Sequence, residues 1–236
     1  MDCLRHAKRV NVPLLIETAL VTSVAVVVLR LLPAGSTFTC AWYIAPAVLL
    51  AAGLIPALVK GDEFVSIGLS SGQVRRSLIL VGCVCVSVFP ALAAALWLVK
   101  LYGMQSAGWL APLPLRPVLP REQGLAGWLL YQFLYVAVAE EVFFRGYVQR
   151  NCLRLADSFE GRPGMLLKFT SIIISAACFA LAHAIVQGQI VSLLTFLPGL
   201  ILGWLFVRTG SLLAPILFHG LANASYLVIC GLLANH

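Results

Sequence analysis

The 236-residue chain is 61% hydrophobic and only 11% charged, with a formal net charge of +7 and a mean hydropathy of +0.98. Soluble domains carry about 45–50% apolar and roughly 25% charged residues, so an aqueous exterior is excluded and the lipid bilayer is the expected solvent. The positive charge does not indicate nucleic acid, because Lys and Arg cluster at the ends of apolar runs, where they carry topology.

A bilayer forces the backbone to satisfy its own hydrogen bonds, which leaves helices or closed barrels. The apolar runs are continuous rather than alternating, which selects helices. The expected fold is an all-α, polytopic transmembrane bundle of about seven spanning helices in one integral membrane domain over residues 1–236. Approximate boundaries leave an eighth span open. The first run, 12–32, follows Arg5, Lys8 and Arg9 and exceeds the 7–15 residues of a signal h-region, so it reads as a retained helix. Spans follow at 41–59 and 77–99, separated by a charged loop from Lys60 to Arg76. Tyr102 to Gly124, with four prolines, reads as an interfacial link before the fourth span at 125–150. Asn151 to Lys168 reads as a surface segment, and the last spans fall at 168–186, 189–207 and 211–233. In the sixth, Pro198 and Gly199 predict a kink, and the Gly199/Gly203 spacing predicts close helix packing rather than chemistry. The seven cysteines include no CxxC pair, and Cys83, Cys85, Cys178 and Cys230 read as small buried hydrophobes.

This segmentation puts Arg5, Lys8, Arg9, Lys60, Arg75, Arg76, Arg150, Arg154, Arg162, Lys168 and Arg208 on one side. Of the basic residues between spans, only Lys100, Arg116 and Arg121 fall on the other. The bias predicts a cytoplasmic N-terminus. A chain this compact, with this bias, suits a bacterial plasma (inner) membrane.

Ionisable groups inside the membrane concentrate in the last four spans, Glu17 being the exception in the first three. The fourth carries Glu140, Glu141 and Arg145, which would together cost on the order of 8–10 kcal/mol if left uncompensated. Glu141 and Arg145 are spaced i,i+4 and can pair. Glu140, turned about 100° away, lacks that partner, and as a poorly solvated carboxylate it suits general-base work. His183 stands in the fifth span and His219 in the seventh, with Asn223 on the same face as His219. At about 1.5 Å per residue, Glu140, His183, His219 and Asn223 share a band near mid-membrane, so one cavity can hold all four.

Glu140-Glu141-x-x-x-Arg145, Phe179-x-x-x-His183 and His219-x-x-x-Asn223 occur in that order. They resemble the EExxxR, FxxxH and HxxxN motifs of the CPBP family, the CAAX proteases and bacteriocin-processing enzymes also called Abi. Arg145-Gly146-Tyr147 and the stretch from Val207 to Ser211 are also similar, and the resemblance spans about residues 125–225 as a catalytic core. It implies an intramembrane endopeptidase in which Glu140 activates water with help from His183. His219 and Asn223 would stabilise the oxyanion, and Glu141, tied to Arg145, would position the helix or assist the base.

The resemblance implies a metal-free glutamate protease with no cofactor, and the chain has no HExxH. Two Glu and two His could still ligate Zn²⁺, so a divalent-metal-dependent protease is the nearest alternative. A transporter or proton relay, or a non-enzymatic immunity protein, is a further alternative, disfavoured because the polar groups lie in one half of the chain. The expected partners are the bilayer and a membrane-anchored protein or peptide substrate, cleaved at a C-terminus or a sorting signal, and no nucleic acid.

Overall fold

A computed structural model describes residues 11–32, 39–61, 73–102, 124–160 and 164–234, and every regular element among them is helical. Helix α1 spans Val12–Leu31, α2 Thr39–Val59 and α3 Val74–Leu101. Helix α4 occupies residues 124–160, and α5 spans Met165–Gln187. A 3₁₀ turn at Ile190–Thr195 runs directly into α6, Phe196–Thr209, and α7 spans Leu213–Ala234. Among the described residues six helices are long and apolar enough to cross a membrane, and Ile44–Val59 of α2 forms a shorter apolar helix. This is the expected bundle of about seven helices. The expected link over 102–124 lies almost wholly outside the described residues, as does most of the loop over 60–76.

Local chemistry sets the helix ends. The Asn11 side chain accepts the backbone N–H of Leu14 at 3.1 Å, and Pro13 in the first turn needs no amide partner there. Gly188 and Gly210 end α5 and α6 in left-handed conformation at φ 67° and 65°, which lets the chain reverse within a few residues. Pro198 occupies the first turn of α6, just after the 3₁₀ segment. The irregularity expected near Pro198 therefore takes the form of a change in helix type before it.

Helix α4 departs from the expectation twice. It continues through Arg150–Glu160 instead of turning onto the surface, because Asn151 is buried and donates to Thr18 Oγ1 of α1 at 3.0 Å. It also contains two π-helical stretches, Tyr131–Ala137 and Val142–Gln149, on either side of the α-helical turn Val138–Glu141. Such wide turns recur at functional positions in helices.

Helix α4 is the hub, packing against α1, α2, α5, α6 and α7, while α3 lies on α6 and α7. Phe143, Phe144, Tyr147 and Val148 fill one core with Val26 and Leu29 of α1, Leu49 of α2 and Phe179 of α5. A second core joins Val81 of α3 to Leu202 and Leu205 of α6 and Phe218 of α7. The Lys100 ammonium donates to the Leu233 carbonyl, placing the C-terminal ends of α3 and α7 on one face. Lys60 meets Glu17 at 2.6 Å, placing the end of α2 beside the start of α1 on the other. Of the cysteines, Cys230 is buried as expected, but Cys83 is exposed on the outside of α3, where lipid can accept it.

Candidate active site

Helix α4 presents a polar stripe to α6. The Arg145 guanidinium meets Glu141 Oε1 at 3.0 Å, and both side chains are wholly buried. It also donates to the Gly199 carbonyl at 3.2 Å and lies 4.7 Å from the centroid of the Phe179 ring. One further step of four along α4, Gln149 donates to the Gly203 carbonyl at 3.0 Å. The pattern 141, 145, 149 thus docks on 199, 203.

The two glycines make that docking possible. A Cβ at Gly199 would stand 3.1 Å from Ala176 Cβ, and one at Gly203 would stand 3.0 Å from Gln149 Oε1. Without them, α6 could not bring its backbone carbonyls to the polar side chains of α4. The spacing expected to serve packing alone therefore also holds the guanidinium of the candidate site.

Glu140 points elsewhere. Its Oε2 lies 3.8 Å from His183 Nε2 and 3.7 Å from His219 Nε2, and it is buried without a hydrogen-bond partner. Both imidazoles are held from behind. His183 Nδ1 is 2.9 Å from the Phe179 carbonyl, and His219 Nδ1 is 2.8 Å from Glu141 Oε1. A carbonyl only accepts, and the Glu141 oxygen already accepts from Arg145, so in both rings Nδ1 carries the proton. Each ring therefore presents Nε2 to Glu140. The Phe179 ring braces the pair, 4.3 Å from the His183 ring and 6.0 Å from the His219 ring, centroid to centroid.

The structure thus brings Glu140, Glu141, Arg145, His183 and His219 into one contiguous cluster. Asn223 lies one turn further along α7, where its amide donates to Gln132 Oε1 at 2.8 Å and keeps a second N–H. Close contact between α4 and α7 enforces this neighbourhood, since a Cβ at Gly220 would fall 2.4 Å from Phe133 Cδ1.

Three participants escaped the sequence reading. Gln132 and Gln149 are uncharged amides and drew no attention beside the glutamates, although Gln149 continues the four-residue stripe of Glu141 and Arg145. Phe179 was visible as part of a motif, but its use as a platform for a guanidinium and two imidazoles was not. Among the described residues, no group of three or more His, Cys, Asp or Glu is arranged to hold a metal ion. Glu141 Oε1 and His219 Nδ1 are engaged with each other.

Comparison with known proteins bears on the same half of the chain. Residues 122–225 match the family model described as type II CAAX prenyl endopeptidase Rce1-like, close to the expected 125–225. No curated protein and no solved structure matches the chain.

Proposed function

We propose, from the match of residues 122–225 to the Rce1-like family of type II CAAX prenyl endopeptidases, that this chain is a CPBP membrane protease and hydrolyses a peptide bond of a membrane-anchored protein or peptide with a glutamate-activated water. The observation that carries the reading is the convergence of His183 Nε2 and His219 Nε2 on the buried, unpartnered Oε2 of Glu140, at 3.8 and 3.7 Å.

In this reading a water donates one hydrogen to Glu140 and the other to the His183 Nε2 lone pair. Glu140 takes the proton as the water oxygen adds to the scissile carbonyl carbon, and the carbonyl oxygen becomes an oxyanion. His219, charged and flanked by Glu140 and Glu141, donates from Nε2 to that oxyanion, and the second amide N–H of Asn223 donates beside it. Collapse breaks the C–N bond, and the protonated Glu140 returns its proton to the leaving amine. Arg145 balances Glu141, which holds the His219 ring by Nδ1.

The reaction so written needs no metal. The family description favours C-terminal processing of a prenylated CAAX end, and a C-terminal sorting signal is the alternative substrate. The one-sided basic residues support a bacterial inner membrane with the N-terminus in the cytoplasm, which terminal reporter fusions would test.

Purified protein in lipid vesicles, incubated with a prenylated CAAX peptide and with membrane-anchored peptides carrying C-terminal sorting signals, tests the reading. Cleavage by wild type, lost in Glu140→Gln and unchanged by a strong chelator, is the expected result. Loss on chelation with recovery on adding Zn²⁺ would replace the metal-free mechanism, and full activity in Glu140→Gln would remove the proposed base.

A further inference from the structure

Away from the candidate site, a cleft of about 400 Å³ opens between the start of α3 and the end of α6, lined by Gln73, Arg75, Arg76, Ile79, Leu80 and Arg208. Three guanidinium groups from two helices face one space, and among the described residues none forms an ion pair with a carboxylate. Arg208 lies 5.9 Å from the Trp204 ring. Arg208 at the end of α6 is favoured by the helix dipole. Arg75 and Arg76 are not, since they occupy the first turn of α3, where no acidic residue offsets them. Mutual repulsion and an unfavourable helix end together define a place that an anion would relieve.

The setting selects the kind of anion. α3 begins at Val74 and turns apolar only after Ser77, so the arginines of its first turn stand where a spanning helix leaves the hydrocarbon, at headgroup depth. Ile79, in the cleft wall, is exposed, as are Leu78 and Val86 further along α3, a surface suited to acyl chains. Trp204, partly exposed one turn from Arg208, is the residue type that favours this interface. A phosphate above an apolar track has the chemistry of a phospholipid. A soluble phosphate would use the guanidinium groups and leave the track unused.

We propose that the Arg75–Arg76–Arg208 cleft is a binding site for the phosphate headgroup of an anionic phospholipid, which clips the start of α3 to the end of α6. Leu80 lines the cleft and also packs against the core containing Phe218, next to His219. The bound lipid therefore holds α3 on the core that borders His219 of α7.

The full chain in nonionic detergent, titrated with phosphatidylglycerol, phosphatidylcholine or inorganic phosphate, tests this by native mass spectrometry and thermal unfolding. The expected result is retention of phosphatidylglycerol with a rise in Tm, and neither effect with phosphatidylcholine or phosphate. Arg76→Gln and Arg208→Gln alter exposed side chains and should each weaken phosphatidylglycerol binding about 10-fold, the loss of one charge-assisted contact. Arg30→Gln removes the same charge from the opposite membrane face and should leave binding unchanged. Equal retention of phosphatidylcholine, or unweakened binding in both cleft variants, would overturn the site. An equal Tm rise with inorganic phosphate would make it a soluble-anion site instead.

Discussion

Helix α4 carries two polar regions that obey different rules. Toward α6, Glu141, Arg145 and Gln149 are wholly buried and reach the Gly199 and Gly203 carbonyls. Toward α1 and α2, Tyr147 donates to Glu17 at 3.2 Å, and Glu17 pairs with Lys60 while both keep about a third of their side-chain surface exposed. The first region lies among helices and must be satisfied by protein alone. The second lies near a helix end, where water and headgroups share the task. Similar residue types thus hold a rigid scaffold in one place and an adaptable clasp in the other.

The sharpest way to break the comparison is Arg145→Met, which removes the guanidinium and leaves the buried Glu141 carboxylate with His219 alone. It should cost about 3–5 kcal/mol and lower Tm strongly, read by thermal unfolding in detergent. A loss below about 1 kcal/mol would mean that the inner stripe is solvated and the contrast false. Next in size is Asn223→Ala, expected to lower turnover about 10²–10³-fold with little change in Tm, as a lost oxyanion donor would. An intact rate would leave Asn223 only its bond to Gln132.

Gly203→Ala tests the docking of α4 on α6. A methyl 3.0 Å from Gln149 Oε1 should destabilise by about 1–3 kcal/mol, and pairing it with Gln149→Ala should recover part of that in a double-mutant cycle. Smallest of all, Lys60→Met should cost roughly 0–1 kcal/mol, because it removes a part-exposed ion pair. A larger loss would show that the α1–α2 clasp is held as rigidly as the inner stripe.

The same contrast explains what could be read from the sequence. The spans were legible because each is a long and mostly apolar run, and the Glu141–Arg145 pair because four-residue spacing is a local rule. The continuation of α4 beyond residue 150 was not, because polar residues there imitate a surface segment until Thr18 is known to meet Asn151. The partnership of Glu141 with His219 was hidden for a similar reason. It joins residues 78 apart in sequence, and no periodicity within one helix reports it. The π-helical turns left no trace, since the four-residue spacing of Glu141, Arg145 and Gln149 is read equally well as ordinary α winding.

Those turns also act as a clock. A stretch that closes its hydrogen bonds five residues back winds more slowly than the α-helix around it, so every residue upstream is rotated relative to those below. Gln132 meets Asn223 only at the angle that Tyr131–Ala137 sets against Val138–Glu141. Deleting one residue from this stretch would let α4 resume ordinary winding. The bearing of the part above would then be set by about 100° per residue, while Glu140 and Glu141 kept their own. The angle between the two ends of the site is thus stored in the pitch of one helix, as a tooth count is stored in a gear.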